Sequence, residues 1–244
     1  MFRLFAIIAL TLMSTTTFSE EFENPDPLED LNRGIWGFND IVINSVGRPV
    51  VSLYETVTPK PIQNCIVNFF GNLNEIPNAA NGLLQGKVKQ AANDTARFLI
   101  NTTFGLGGLF DVAKSAGFHA GEGEDFGQTL AVWGVGEGPY LMLPFLGPST
   151  LRDAPANFVD SFFDPFSYSD KLALKAGVKG ISVVSQYGSY LDQLDVISGD
   201  KYLFIRDVYL QNRAYVIDDG AIEDDFGDLE DYFPISMSRT ETGC

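Results

Sequence analysis

His119 is the only histidine in the chain, and it narrows the available chemistry at once. A Ser-His-Asp hydrolase would have to use it as base. No Gly-x-Ser-x-Gly turn presents a serine to it. Set in Gly117-Phe118-His119-Ala120-Gly121, it reads as a loop residue. Glu122, Glu124 and Asp125 resemble paired carboxylates for hydrolysis, but among glycines they read as a solvated loop. Cys65 and Cys244 lack metal-ligand spacing, no acidic pair sits at helix spacing within an apolar stretch, and no calcium-loop pattern is present. Neither a metal nor another cofactor is expected. Two glycine-rich runs, from Gly105 to Phe110 and from Gly134 to Pro139, invite comparison with phosphate loops. Neither contains Gly-x4-Gly-Lys-[Ser/Thr] or follows a strand in a βαβ pattern. They read as tight turns or close backbone approaches. The chain is not expected to be an enzyme.

Two other groups of residues suggest binding. Arg97, Arg152, Arg206 and Arg213 lie in or near apolar segments. Such arginines usually pair with acids, and Asp153 and Asp207 stand beside Arg152 and Arg206. Alternatively they meet a lipid phosphate, whose geometry arginine matches well. The run from Tyr140 to Pro148 is almost wholly apolar and broken by proline. It is far short of the roughly 20 residues of a membrane-crossing helix. It is either a buried core segment or one lining a lipid path. Phe162, Phe163, Phe166 and Tyr168 cluster around a turn, which suits a membrane interface or an ordinary core.

The elements that must position these residues read as helices. Asp26-Pro27-Leu28-Glu29 is a helix start, with Asp26 as cap. Leu28, Leu31, Ile35, Phe38 and Val42 then follow at helical spacing, and Arg48-Pro49 is expected to end the segment. A second helix is expected from Pro61 to about Glu75, before Pro77. Val88, Ala92, Ala96, Leu99 and Thr103 mark a third. Leu174, Val178, Ile181, Val184, Tyr187, Leu191 and Leu194 mark a fourth. Asp200 caps a fifth, with Tyr202, Ile205 and Tyr209 on one face. No convincing strand pattern appears.

Composition adds boundaries. The 244 residues are 45% hydrophobic and 20% charged, with 20 Phe and a net charge of −16. That length supplies a packed core, and the acidity argues against nucleic acid as partner. Residues 1–19 read as a signal peptide: Arg3, an apolar run from Leu4 to Met13, and a small-residue site at Thr17-x-Ser19. Residues 20–217 form the expected helical domain. Residues 218–244 hold nine acids against Arg239 alone and read as a solvated, flexible tail. Cys65, among Ile62, Ile66 and Phe69, is expected to be buried, and a Cys65–Cys244 disulfide is not expected.

Several runs together resemble the MlaA (VacJ) family. They are Asp26-Pro27-Leu28-Glu29-Asp30-Leu31-Asn32-Arg33 with Phe38-Asn39, Arg48-Pro49-Val50, Asn68-Phe69-Phe70-Gly71-Asn72-Leu73 and Leu84-Gln85-Gly86. Arg97 to Thr103 leads into Gly105-Leu106-Gly107-Gly108 and Asp111-Val112-Ala113. The longest match runs from Phe126-Gly127-Gln128-Thr129-Leu130 through Gly134-Val135-Gly136 and Gly138-Pro139-Tyr140 to Leu143-Pro144-Phe145, Gly147 and Leu151-Arg152-Asp153. The resemblance spans about residues 25–215, in family order and spacing.

This resemblance implies an all-α, ring-shaped domain with Gly/Pro-rich connecting loops in the inner leaflet of the outer membrane, on its periplasmic side. It implies removal of misplaced outer-leaflet phospholipid through an amphipathic channel, with trimeric porin and a periplasmic lipid carrier as partners. Phe38, Asn39, Leu141, Leu143, Phe145 and Leu146 are the lipid-channel candidates. Arg97 and Arg152 are the headgroup candidates. Family members are commonly lipoproteins; no cysteine stands at the cleavage region here. Membrane association is therefore expected to rest on apolar surface and a porin. The competing readings are a porin-associated scaffold and a periplasmic lipid hydrolase.

Overall fold

A computed structural model describes residues 26–220, Ser198 excepted. The expected signal peptide, Cys244 and the tail beyond Gly220 lie outside the described residues. Helix α1 covers Glu29–Val42 and passes through a π-helical turn, Ile43–Gly47, into α2, Arg48–Val57. Then come α3, Lys60–Leu84, and α4, Val88–Thr103, followed by two short helices, α5, Val112–Ser115, and α6, Phe126–Val132. An antiparallel hairpin joins β1, Tyr140–Leu143, to β2, Gly147–Thr150, with Tyr140 opposite Thr150 and Leu143 opposite Gly147. Helix α7, Asp153–Asp160, two 3-10 turns, α8, Leu172–Val196, and α9, Lys201–Ile217, complete the order.

The third, fourth and fifth expected helices correspond to α4, α8 and α9. Asp200 caps α9 through the amides of Tyr202 and Leu203. Four local expectations are corrected. Arg48-Pro49 does not end the helical path; Pro49 occupies the first turn of α2, directly after the π-helical turn. Pro77 does not stop α3, which continues to Leu84. Its last turns are held from outside: Asn81 Nδ2 donates to Asp160 Oδ1 at 3.0 Å, and Gly82 lies against Ala91. Asp26 is not a helix cap. It is buried, and accepts from Asn32 Nδ2 at 2.8 Å and from the Tyr202 hydroxyl. Cys65 is half-buried rather than buried.

The hairpin is the one departure from an all-helical chain among the described residues. Each strand has four residues, too few for alternation to emerge from an apolar run. The fold class stays helical.

The distribution of polarity sets the molecule apart. Among the described residues, the buried side chains comprise eight hydrophobic and eighteen polar or charged ones. Ordinary globular proteins reverse that balance. In α4 the buried positions are Ala91, Asp94, Arg97 and Asn101, a continuous i, i+3, i+6, i+10 face. Its apolar stripe points outward, with Val88 64% and Leu99 56% exposed. In α1 the buried residues are Asn32 and Asn39, while Leu31, Phe38 and Ile41 are exposed. In α3 they are Gln63, Asn72, Glu75, Asn81 and Gly82, with Ile62, Val67 and Leu83 outside. The hydrophobic cluster that does exist is small. Tyr140, Met142 and Tyr202 form it, with Ile35, Trp36, Leu203, Ile205, Tyr209 and Leu210 packed around. No helix among the described residues is long and apolar enough to cross a membrane.

Candidate functional site

The polar face of α1 grips the hairpin. Asn32 and Asn39 are seven residues apart, two helical turns, so their side chains share one face. Each primary amide offers a donor and an acceptor side by side, as a peptide group does. Asn32 Nδ2 donates to Tyr140 O at 3.0 Å, and Asn32 Oδ1 accepts from Met142 N at 2.8 Å. Asn39 Nδ2 donates to Leu143 O at 2.9 Å, and Asn39 Oδ1 accepts from Phe145 N at 2.9 Å. One edge of β1 pairs with β2; the two asparagines satisfy its other edge.

The two grips differ in depth. At the base, Asn32, Tyr140 and Met142 are at most 1% exposed. Tyr140 meets Tyr202 and Tyr209 edge-on, with ring centroids 6.3 and 6.1 Å apart. Burial pushes the Tyr140 and Tyr202 phenols well above their ordinary range, and Asp26 adds to both shifts. At the tip, Phe145 is 72% exposed, and Leu146 is nearly as open. Phe145 has a φ of +63°, a backbone region that L-residues rarely occupy. Its ring stands edge-on to Phe38 with centroids 5.0 Å apart. Leu141 and Leu143, half-buried, lie on the strand face opposite Tyr140 and Met142. The structure thus brings all six lipid-channel candidates to α1 and one hairpin.

A second polar cluster fastens α9 to the body. Arg213 Nε and Nη2 donate to Asp153 at 2.8 and 3.1 Å, and Nη1 and Nη2 donate to Asp125 at 2.5 and 2.7 Å. Arg152 Nε adds 2.8 Å to Asp153, and the Tyr209 hydroxyl adds 3.0 Å. Burial alone would raise both carboxyls. The hydrogen bonds and charge of Arg213, joined at Asp153 by Arg152, outweigh it and hold both below the usual carboxylate range.

The headgroup candidates are committed inside the protein. Arg97, 5% exposed, donates to Glu75 at 2.6 Å, to Phe118 O at 2.6 Å and to Asp111 at 3.3 Å. Arg152, 6% exposed, is paired with Asp153. Opening a buried pair to reach a phosphate would leave an uncompensated carboxylate behind. Both arginines are thus engaged in internal pairing, one of the two alternatives that the sequence left open. His119 lies exposed in its loop, and its carbonyl accepts from Asn93. Of the glycine-rich runs, the first is a close approach: Gly108 has a φ of +94°, and a Cβ there would stand 2.6 Å from the Asn72 side chain.

Asp94, 1% exposed, lies on the buried face of α4 with Arg97, and its Oδ2 has no hydrogen-bond partner among the described residues. Burial raises its carboxyl, and the Glu124 charge adds to the shift against the opposing effects of Asn93 and Arg97. A carboxyl raised on folding holds its proton better in the folded state. Stability is then gained as pH falls through the folded pKa and is lost as pH rises. Asp94→Asn is expected to raise the melting temperature at pH 7.5 by about 2–4 °C, the equivalent of about 1 kcal/mol. It should also shrink the gain that the unaltered chain shows between pH 7.5 and pH 4, toward the ordinary carboxylate range. Thermal scans of both proteins at the two pH values check this, and an unchanged pH dependence contradicts it.

Comparison with known proteins decides the family. Residues 24–216 match the MlaA lipoprotein family. The chain belongs to the MlaA family. The Escherichia coli intermembrane phospholipid transport system lipoprotein MlaA is 34% identical over 221 residues, covering 84% of this chain and 88% of that protein. The Haemophilus influenzae protein of that name is 31% identical over 234 residues, covering 93% and 94%. A solved MlaA structure, described as the structural basis for maintenance of bacterial outer membrane lipid asymmetry, superposes with a TM-score of 0.68 at 36% identity. It covers 79% of this chain and 98% of its own. The MlaA fold thus accounts for the helical order around a polar interior. The sequence reading singled out Asn39 and expected Arg213 to pair with acids, but it took Asp125 for a solvated loop residue and Asp26 for a helix cap and gave Asn32 no role; the seven-residue spacing of the asparagines was the available signal.

Proposed function

We propose that this MlaA-family chain removes mislocalised phospholipid from the outer leaflet of the outer membrane and passes it to a periplasmic carrier, maintaining lipid asymmetry. The observation that carries this reading is the reversed polarity of the helices. A phospholipid needs a polar wall for its headgroup and an apolar one for its tails. Helices that bury Asn, Gln, Asp and Arg while turning Leu, Val and Phe outward suit a body set among acyl chains with a polar interior. The names of the E. coli and H. influenzae relatives support the same cargo.

In this reading residues 1–19 direct export, and residues 20–217 form a ring with Gly/Pro-rich connections in the inner leaflet. Residues 218–244 are strongly acidic. A trimeric porin and a soluble lipid carrier are the partners. The work is transport without covalent catalysis. Phe38, Asn39 and the hairpin residues Leu141, Leu143, Phe145 and Leu146 border the lipid path, with the tip as its movable part.

Deletion of the gene is expected to raise phospholipid in the outer leaflet severalfold and to increase detergent sensitivity, with both restored by the full chain. Surface-lipid labelling and fractionation of the complemented strain check this. An unchanged outer leaflet, or a chain absent from the outer-membrane fraction, overturns the reading. A pure scaffold would leave purified protein free of phospholipid.

A further inference from the structure

We propose that the groove between α1 and the hairpin tip binds one acyl chain of a phospholipid; this rests on the transport reading above. The groove is shallow and open along one side, with a volume of about 480 Å³. Leu31, Gly34, Ile35 and Phe38 form its floor, and Pro144 and Phe145 its other wall. These α1 positions recur at helical spacing along one face, about 10 Å of helix.

Its chemistry is that of a hydrocarbon chain. The lining side chains are aliphatic or aromatic except Asp30, which is exposed at the N-terminal end of the groove. Leu31 and Phe38 are 59% and 43% exposed, so the apolar floor is uncovered. An acyl chain laid along the floor covers it, while a headgroup leaves toward water beside Asp30. That carboxylate favours a headgroup ending in an ammonium group, as in phosphatidylethanolamine. The Phe38–Phe145 contact stands at the far end, so the bound chain touches the movable tip.

Gly34 keeps the floor open. A Cβ there would meet nothing within 4 Å, and its φ is not positive. Neither crowding nor backbone conformation requires glycine, which costs about 1 kcal/mol relative to alanine inside a helix. Gly37 is equally unhindered but does not line the groove. The two glycines make a matched pair.

The test uses the full chain in vesicles of phosphatidylethanolamine and phosphatidylglycerol carrying a trace of phospholipid with a photoactivatable acyl chain. Labelling of the unaltered chain is expected within residues 30–38 and 144–146. Gly34→Leu should reduce that labelling at least tenfold, and Gly37→Leu should change it less than twofold. Neither variant should melt below the unaltered chain, because leucine is the better helix former. Full labelling of Gly34→Leu, or equal loss in Gly37→Leu, overturns the groove proposal in favour of lipid merely surrounding the protein. Protein–protein cross-links at these residues, to a second copy or to residues 221–244, overturn it too. Labelling elsewhere but not in the groove overturns only this proposal. A chain that takes up no phospholipid anywhere overturns the transport reading with it.

Discussion

Arg213→Ala is expected to lower the melting temperature by about 10 °C and to release α9 from the body. Breaking a buried ion pair by removing one partner typically costs about 3–5 kcal/mol, because the remaining charge stays buried and uncompensated. For a chain of this size each kcal/mol corresponds to about 2–4 °C. Here Asp125, itself partly exposed, would lose its only cation among the described residues, and Asp153 would be left with Arg152 alone. The space is also fixed: a Cβ on Gly127 would come within 2.4 Å of both Arg213 Nη2 and Asp153 Oδ1. The cause can be separated from simple loss of contact. Replacing Arg213 by Met together with Asp125→Asn removes one cation and one carboxylate at once while leaving Asp153 paired with Arg152, and should recover part of the loss. The pH dependence carries a second signature. Both carboxyls lie below their ordinary values, so their contribution is fully present above the unfolded pKa of about 4. It is lost as pH falls through the lower folded values. Arg213→Ala should flatten that acid limb, which thermal scans from pH 5 to pH 3 would read. An unaltered acid limb would mean that the cluster contributes nothing to stability.

The same cluster explains why some of the molecule was legible in the sequence and some was not. Helices α4, α8 and α9 announced themselves through periodic apolar residues, and Asp200 through its place before Tyr202 and Leu203. Periodicity locates a helix but does not say which face is inside. In α4 the stripe through Val88 and Leu99 faces outward, and the face with Asp94, Arg97 and Asn101 is buried. Arg213 and Asp125 are 88 positions apart in sequence, and no local rule connects residues so far apart. Pro77 failed as a stop signal because a proline penalty of about 3 kcal/mol is local, whereas Asn81 and Gly82 are held by distant partners. The channel candidates were found by family resemblance and apolar texture. The hairpin that gathers them was too short to read, and the partners of Arg97 and Arg152 stayed open between acid and lipid because a buried arginine looks alike in sequence whether its partner is internal or a lipid.

Deleting Phe38 and Asn39 is expected to raise outer-leaflet phospholipid and detergent sensitivity while leaving the body folded. The deletion removes the tip's grip and keeps the base's. Asn39 supplies two hydrogen bonds to the tip, each worth about 1 kcal/mol net. The edge-on Phe38–Phe145 pair adds about 0.5–1.5 kcal/mol. Together they hold the tip closed by about 3 kcal/mol, an open fraction near 1% at tenfold per 1.4 kcal/mol. After the deletion Asp40 and Ile41 take the vacated helical positions. An aspartate then faces the Phe145 ring, and an isoleucine that cannot hydrogen-bond faces the Phe145 amide. The tip becomes mostly open. Asn39→Ala, losing about 2 kcal/mol, should raise the open-to-closed ratio about 30-fold. Asn32 still holds Tyr140 and Met142 in both variants, so base and tip should separate in amide exchange. The Phe145 amide should speed up and the Met142 amide should stay protected. Asn32→Ala supplies the contrast, because it loosens the base as well and should release both amides together. Unchanged surface phospholipid in the deletion, or Phe145 and Met142 amides that always exchange in step, would remove the tip from any part in the lipid path.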